Sequence, residues 1–237
     1  MIKQKKQGQL IVISGPSGAG KDTIVESVIK NNDNIWLSVS ATSRPIRKGE
    51  KEGINYFYLT KEEFEEKIKD NYFLEYAVYA DNYYGTPKEE IIKKLDKGID
   101  VILVIEIEGA KKIKDLIPEA LFIFITPPSE KELLKRLSGR KTEDKEKIIK
   151  RFNIAYQEMN EVTKYNYVVV NDNLTEAISK VEAIIKAEKC RVDRIEEMLV
   201  SNKEELIHEF LMDEEFDNSL ISEKIKEEAW KIEWKNI

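Results

Sequence analysis

The sequence predicts an α/β fold in which helices cover both faces of a parallel central sheet. Short apolar segments alternate along the chain with amphipathic stretches, a pattern that favours parallel strands joined by helices. Residues 101–107 and 121–125 are nearly unbroken apolar runs, as expected for strands buried on both faces. The third observation is a glycine-rich turn that joins the first predicted strand to the first predicted helix.

The strands are predicted from apolar runs that end at polar or glycine-bearing segments. They cover residues 10–13, 36–40, 56–59, 73–79, 101–107, 121–125 and 167–170. The polar stretch 41–55 is predicted to be a loop, and residues 83–86 are predicted to form a turn.

The helices are predicted from their start signals and their periodicity. Thr60 with Glu63, and Ser129 with Glu132, have the spacing of capping boxes, and Pro87 suits the first position of a helix that ends at Gly98. The predicted helices cover residues 21–30, the segments that start at Thr60, Pro87 and Ser129, a segment containing Arg151, and one that starts near Thr175.

The glycine-rich turn has the layout of a phosphate-binding loop. Glycines allow the backbone to curl so that successive N–H groups point at phosphate oxygens, and the following helix contributes the positive end of its dipole. Lys21 adds a full charge for the terminal phosphates. The candidate phosphate-binding residues are Gly15, Pro16, Ser17, Gly18, Ala19, Gly20, Lys21, Asp22 and Thr23.

One position of this loop departs from the usual pattern. The residue after the lysine is normally Ser or Thr and binds Mg²⁺, but here it is Asp22, with Thr23 next. Because Mg²⁺ prefers hard oxygen ligands, either the Asp22 carboxylate or the Thr23 hydroxyl suits the metal, and the sequence leaves both open.

Composition excludes several classes of protein. The longest apolar runs are far too short to cross a bilayer, and residues 1–9 lack the apolar region of a signal peptide, so we expect no membrane partner. The single cysteine, Cys190, excludes an internal disulfide and favours a reducing, cytoplasmic location. The single histidine, His208, excludes the usual His/Cys zinc sites.

Charge is unevenly distributed along the chain. Residues 196–237 contain 13 acidic and 5 basic residues, whereas the whole chain has a net charge of −6. No basic surface of the kind that binds nucleic acid is evident. Only seven of the 39 basic residues are arginine, so arginines mark candidate sites for bidentate phosphate contacts.

Several motifs together resemble the guanylate kinase family. They are Ser-Val-Ser-Ala-Thr-Ser-Arg-Pro-Ile-Arg at residues 38–47, Gly-Ile-Asn-Tyr at 53–56, Phe-Leu-Glu at 73–75 and Asn-Tyr-Tyr-Gly-Thr at 82–86. The Pro-Pro-Ser segment at 127–129 with its following arginines, and Val-Asn-Asp at 170–172, fit the same family. The resemblance spans roughly residues 8 to 190 and implies a three-layer α/β/α P-loop fold.

The resemblance implies a role for each matching residue. Arg44, Arg47, Tyr56 and Tyr84 would hold the GMP phosphate, while Ser40, Glu75 and Thr86 would bind the guanine. Guanine presents adjacent N1–H and N2–H₂ donors, which a carboxylate accepts and which adenine lacks. Lys21 would stabilise the transferred phosphoryl group together with three arginines of a mobile lid, Arg136, Arg140 and Arg151. Arg44 would orient the acceptor. The residues implied on the ATP side beyond the loop are Arg136, Arg140, Arg151 and Asn171.

The central strand also departs from the family pattern. The family usually has Asp-x-Asp where this chain has Val104-Ile105-Glu106. Because Glu106 still supplies a carboxylate at the second of these positions, it is grouped with the GMP-binding residues. Together with Asp22 and Thr23 it is also a candidate Mg²⁺ ligand. Asp22 is a candidate replacement for the charge lost at Val104.

The implied activity is Mg²⁺-dependent transfer of the ATP γ-phosphoryl group to GMP, and also to dGMP, in purine nucleotide metabolism. The preference between these two acceptors is left open. Two alternatives remain: a ribose 1,5-bisphosphate kinase, because related enzymes share Gly-Lys-Asp, and a non-catalytic guanylate-kinase-like binding module. The intact guanine-binding residues disfavour the first, and Lys21 disfavours the second.

The expected domain organisation follows from the same resemblance. A kinase-like domain over 8–195 would comprise a core (8–36, 89–127 and 161–195), a small mixed-sheet GMP-binding subdomain (37–88) and a helical lid (128–160). Residues 196–237 would form an acidic, helical C-terminal extension with apolar faces. This extension is expected to pack on its own domain, to pair with a second copy or to bind another partner.

Overall fold

The structure is a computed structural model that describes residues 3–4, 7–79, 81–138, 145–192 and 195–197. The chain divides into two units, one comprising Lys6–Cys190 and the other comprising Met1–Lys5 with Arg191–Ile237. The division falls before the boundary at 195/196 expected from the sequence. In the second unit, the described elements are β1 (Lys3–Gln4) and β11 (Ile195–Glu197), which pair antiparallel.

A parallel five-stranded sheet forms the centre of the larger unit. Its strands run in the spatial order β10-β9-β2-β8-β3, and every neighbouring pair is parallel. The strands are β2 (Leu10–Ser14), β3 (Ile35–Leu37), β8 (Asp100–Val104), β9 (Leu121–Thr126) and β10 (Tyr167–Val170).

The described α-helices are α1 (Lys21–Asn31), α2 (Lys61–Lys69), α3 (Lys88–Asp96), α4 (Ile107–Leu116), α5 (Glu130–Ser138), α6 (Lys145–Met159) and α7 (Leu174–Glu188). Six of these helices match predicted ones, whereas α4 was not predicted. A short 3₁₀ helix lies at Val162–Lys164. The capping box at Thr60 is confirmed, because the Thr60 and Glu63 side chains each accept a hydrogen bond from the other residue's backbone N–H.

The side chains of β2 alternate between the two faces of the central sheet, and each face is covered by helices. Ile11 and Ile13 are buried in a cluster that includes residues of α1 and α7, whereas Leu10 and Val12 belong to a cluster that includes residues of α3 and α4. Successive strand residues point to opposite faces, so the strand is apolar on both. This arrangement confirms the predicted three-layer α/β/α architecture.

A second, four-stranded mixed sheet follows the order β5-β4-β7-β6. Its strands are β4 (Ala41–Thr42), β5 (Phe57–Tyr58), β6 (Phe73–Tyr79) and β7 (Asn82–Pro87). Its small core is aromatic: the Phe64 ring stacks on Phe73 and Tyr83, with centroids 4.4 and 5.1 Å away. The sequence predicted a small mixed sheet, and the structure confirms it.

The predicted turn at residues 83–86 is wrong, because these residues lie inside β7. The strand pairs with β4 on one side and β6 on the other. The glycine that suggested a turn has a packing role, since a Cβ at Gly85 would lie 2.8 Å from the Phe64 ring. The chain reverses just before β7, where Asp81 has a φ of 65°.

Two predicted strands are too long. The apolar run 101–107 contains the end of β8 at Val104 and the start of α4 at Ile107, because both elements bury apolar residues and periodicity cannot separate them. The strand predicted over 36–40 ends at Leu37. The chain then leaves the central sheet, and Ala41 begins the small sheet.

The C-terminal extension is mostly outside the described residues. Its first residues, within β11, are strand rather than helix, whereas the two amphipathic helices predicted further along lie outside the described part. The role of the extension therefore stays a prediction. No helix in the described ranges combines the length and apolar character needed to span a bilayer.

Candidate active site

The glycine-rich turn connects β2 to α1, as the sequence predicts. Gly20 caps the helix with a φ of 88°, a conformation that glycine adopts without strain, and a Cβ there would lie 2.4 Å from Asn171 Nδ2. The Lys21 ammonium donates to the carbonyls of Gly15 at 2.6 Å and Pro16 at 3.2 Å. Thus Lys21 is folded over its own loop, where it adds positive charge beside the backbone amides.

A cavity of about 1170 Å³ opens around this loop. Single-ligand pockets typically have volumes of about 300–1,000 Å³, so this one has room for more than one ligand of moderate size. Cations outnumber anions among its charged lining residues, which suits phosphate groups. The lining cations are Lys21, Arg44, Arg47, Arg136, Lys150 and Arg151, and the lining anions are Asp22, Glu106 and Asp172.

The predicted phosphate-binding residues of the small sheet meet at this cavity. Arg44, Arg47, Tyr56 and Tyr84 all line it. The Tyr56 and Tyr84 rings meet edge to face with centroids 5.9 Å apart, and the Arg44 guanidinium carbon lies 5.4 Å from the Tyr56 ring centroid. Two cations and two phenols thereby share one cavity with the phosphate loop.

The predicted guanine-binding residues Ser40, Glu75 and Thr86 are not among the lining residues of the cavity. Glu75 and Thr86 are buried, and the Thr86 hydroxyl donates to Glu75 Oε1 at 2.6 Å. Burial raises the pKa of Glu75, while the bond from Thr86 and the charge of Lys112 oppose the rise. Ser40 is half-buried, and its carbonyl accepts from the Phe57 N–H at 2.9 Å.

The residues predicted on the ATP side lie in α5, in α6 and directly after β10. Arg151 donates to the Ser17 hydroxyl at 3.0 Å, and Asn171 Nδ2 donates to the Ala19 carbonyl at 2.8 Å. Arg136 donates to the Asn171 carbonyl at 2.9 Å, so α5, the loop after β10 and the phosphate loop are joined. The predicted Arg140 lies outside the described residues.

The candidate metal ligands also face the cavity. Asp22, Thr23 and Glu106 line it, and Glu106 precedes α4 as its N-cap residue. Burial raises the pKa of Tyr56 to about 12, and the charges of Asp22 and Glu106 contribute to the rise, which places both carboxylates near this phenol. Within the described ranges, no group of three or more acidic, His or Cys side chains forms a ready-made metal site.

Sequence reasoning missed three charged residues in this region. Lys150 lines the cavity beside Arg151. Glu50 pairs with Arg44, and Glu158 of α6 interacts electrostatically with Lys21 and Glu106. Only Glu158 had a usable signal: it follows Arg151 by two helical turns and therefore lies on the same face of α6.

The pKa of Glu158 is raised to about 7, mainly by burial and further by the charge of Glu106. Lys21 and a hydrogen bond from the Ser17 backbone oppose this rise. Since the folded protein holds this proton more tightly than the unfolded chain, the free energy of unfolding should fall as pH rises from about 4.5 to about 7.

We therefore expect Glu158→Gln to remove part of this pH dependence. In the wild type, the free energy of unfolding should fall by about 1.4 kcal/mol for each unit of pKa shift. Thermal unfolding at about pH 5 and about pH 7.5 measures this fall. Glu146→Gln, an exposed change on the same helix, is the control and should behave like the wild type. Equal pH slopes for Glu158→Gln and the wild type would contradict the assignment.

The fold and the loop define a P-loop nucleotide-binding protein with a kinase architecture. A family model described as "Guanylate kinase" matches residues 7–188, which is most of the chain. On this match, and on the relatives described next, the chain belongs to the guanylate kinase family.

Two relatives that are named guanylate kinase align with this chain over nearly their full length. The chain is 54% identical to the guanylate kinase of Clostridium tetani over 88% of this chain and 100% of that protein. It is also 54% identical to the guanylate kinase of Caldanaerobacter subterraneus, over 86% of this chain and 98% of that protein. Among solved structures, guanylate kinase from Anaplasma phagocytophilum matches with a TM-score of 0.68 and 32% identity, covering 88% and 95% of the two chains.

Proposed function

We propose that this protein transfers the γ-phosphoryl group of ATP to GMP, and also to dGMP, giving ADP and the nucleoside diphosphate. One observation carries the proposal. A single cavity is lined both by the phosphate loop with Lys21 and by Arg44, Arg47, Tyr56 and Tyr84. Two sets of groups suited to phosphate that share one cavity support a reaction between two nucleotides.

Phosphoryl transfer depends mainly on positioning and on neutralising charge. Lys21, Arg136 and Arg151 would stabilise negative charge on the transferred group, and Arg140 is expected to act with them. Arg44 and Arg47 would hold the acceptor phosphate so that one of its oxygens points at the donor. Glu75 and Thr86 would bind the guanine, with Ser40 beside them.

Movement of two segments would complete the site. We propose that the small-sheet segment (37–88) and the helical segment (128–160) close over bound nucleotides. Closure would exclude water, which otherwise competes with GMP for the phosphoryl group. The exposed Cys190, which forms no disulfide, fits the reducing, cytoplasmic location expected from the sequence.

The residues present also fit a Mg²⁺ ion. Carboxylate and hydroxyl oxygens are suitable ligands, and nucleotide phosphates normally supply others. Asp22, Thr23 and Glu106 would hold the ion, directly or through water. Bound Mg²⁺ would neutralise charge on the ATP phosphates. Since Val104 supplies no carboxylate where the family usually has one, Asp22 is proposed to restore the charge.

Asp22→Ala is therefore expected to lower Mg²⁺-dependent turnover by about 10-fold or more and to raise the Mg²⁺ concentration needed for half-maximal rate. Titration of rate against Mg²⁺ at saturating nucleotides measures both effects. Asp33→Ala, an exposed change just beyond α1, is the matched control. Near-normal turnover and Mg²⁺ dependence in Asp22→Ala would discard the role of Asp22.

A coupled assay of ADP formation tests the proposed activity. With ATP and Mg²⁺, we expect turnover with GMP and dGMP and little with AMP. Ribose 1,5-bisphosphate is included as an acceptor because of Asp22, and a preference for it would replace the proposal by the alternative kinase. Absence of both turnover and ATP binding would instead favour a non-catalytic binding module.

A further inference from the structure

Glu50 makes a bidentate ion pair with Arg44, one of the residues proposed to bind the GMP phosphate. Arg44 Nη1 lies 3.0 Å from Glu50 Oε2, and Nη2 lies 2.9 Å from Oε1. Glu50 Oε2 also accepts from the Arg47 backbone N–H and the Tyr58 hydroxyl, both at 2.8 Å. These bonds lower the pKa of Glu50 to about 2, so its carboxylate stays charged.

The pair engages one edge of the Arg44 guanidinium. Nη1 donates to Glu50 and to the Pro45 carbonyl at 2.8 Å, and Nη2 donates once to Glu50. Arginine has five N–H donors in a planar fork, so Nε–H and the second Nη2 hydrogen form the other edge. Tyr84, which lines the cavity, is a hydrogen-bond partner of the Arg44 side chain.

We propose that Glu50 is a positioning residue that fixes Arg44 by one edge and so presents the other edge to the phosphate of the acceptor nucleotide. This inference rests on the proposed function. An arginine held in its binding conformation loses less freedom when the phosphate arrives, which strengthens binding. The Tyr56 and Tyr58 rings, 5.4 and 5.8 Å from the Arg44 guanidinium carbon, further restrict it.

The opposite role would be competition, in which Glu50 occupies the place of the substrate phosphate. The contacts of the carboxylate argue against it. Glu50 is held from within its own segment by the Arg47 amide and the Tyr58 hydroxyl, so displacing it would break those bonds as well as the ion pair. The two roles predict opposite signs when Glu50 is neutralised.

Kinetics of Glu50→Gln separate these roles. We expect the KM for GMP to rise by about 10-fold to 100-fold, because the buried Arg44 loses the half-buried carboxylate that fixes its guanidinium. The KM for ATP should change by less than about 2-fold, since its residues keep their contacts. Glu52→Gln is the control: Glu52 is exposed and accepts from the Tyr58 N–H, which an amide oxygen can also do.

Two further variants keep the test decisive. Tyr58→Phe removes one donor to Glu50 and leaves the ion pair, so a smaller rise in the KM for GMP is expected even if Glu50→Gln folds poorly. In an Arg44→Ala background, Glu50→Gln should add no further effect, because Glu50 acts through Arg44. A merely structural role would instead change the KM values for GMP and ATP together.

The outcomes also separate this inference from the proposed function. If the wild type and Glu52→Gln do not phosphorylate GMP, the proposed function fails. If both are active, any of three results overturns the positioning role alone. These are tighter GMP binding in Glu50→Gln, equal changes in both KM values, or effects of Glu50→Gln and Arg44→Ala that add fully.

Discussion

Replacement of Lys21 by methionine is expected to lower kcat for phosphoryl transfer by about 1,000-fold, the scale seen when one transition-state donor is removed from an enzyme. Lys21 is the cation of the phosphate loop, and its ammonium lies 2.6 Å from the Gly15 carbonyl. Methionine keeps a similar chain length but cannot neutralise phosphate charge. Single-turnover measurement of ADP formation reports the loss directly.

The control for this prediction is Lys30→Met, an exposed change in the last turn of the same helix. It should retain wild-type kcat. Binding of GMP to Lys21→Met should also persist, because the residues proposed to hold the GMP phosphate and the guanine belong to the segment 37–88 and not to the phosphate loop. A Lys21→Met protein that turns over within about 10-fold of wild type would show that this charge is not central.

The second large effect is expected for Glu75→Gln. A carboxylate would accept both adjacent donors of guanine, whereas an amide presents an NH₂ group to one of them. We expect the KM for GMP to rise by about 10-fold to 100-fold, the discrimination of one bidentate base contact. Steady-state kinetics with GMP as the varied substrate measure this change.

Glu75→Gln is expected to weaken GMP binding without lowering the stability of the protein. Burial is the main cause of the raised pKa of Glu75, so the ionised side chain is unfavourable in the folded state, and a neutral amide removes that cost. The amide also keeps an oxygen that can accept from the Thr86 hydroxyl. We therefore expect an unchanged or higher melting temperature, and a KM for GMP equal to wild type would contradict the assigned role.

Local sequence predicts the phosphate loop well because its determinants are neighbours in the chain. Strand, glycines, Lys21 and helix follow one another, and the structure has β2 ending at Ser14 and α1 starting at Lys21. Most of the central sheet was also predictable, since β2, β8, β9 and β10 each contain an apolar run of at least four residues, although the end of β8 and the bounds of β3 were not. Arg44, Tyr56 and Tyr84 were placed at the site by resemblance, and they do line the cavity.

Other features depend on tertiary contacts that spacing does not reveal. Gly85 resembles a turn residue but lies in a strand against Phe64 and Phe73, and Ile107 ends an apolar run but begins a helix. The ion pair of Glu50 with Arg44 joins residues six positions apart in an irregular segment, where no periodicity brings them together. Such pairs are visible only once the segment is folded.

The central claim is that one cavity binds two nucleotides at once. Calorimetric titration of GMP into protein saturated with a non-hydrolysable ATP analogue and Mg²⁺ tests it most directly. We expect one GMP to bind per chain, with an affinity equal to or higher than that without the analogue. If the analogue instead displaced GMP, or if GMP produced no binding signal with or without it, the claim would be contradicted.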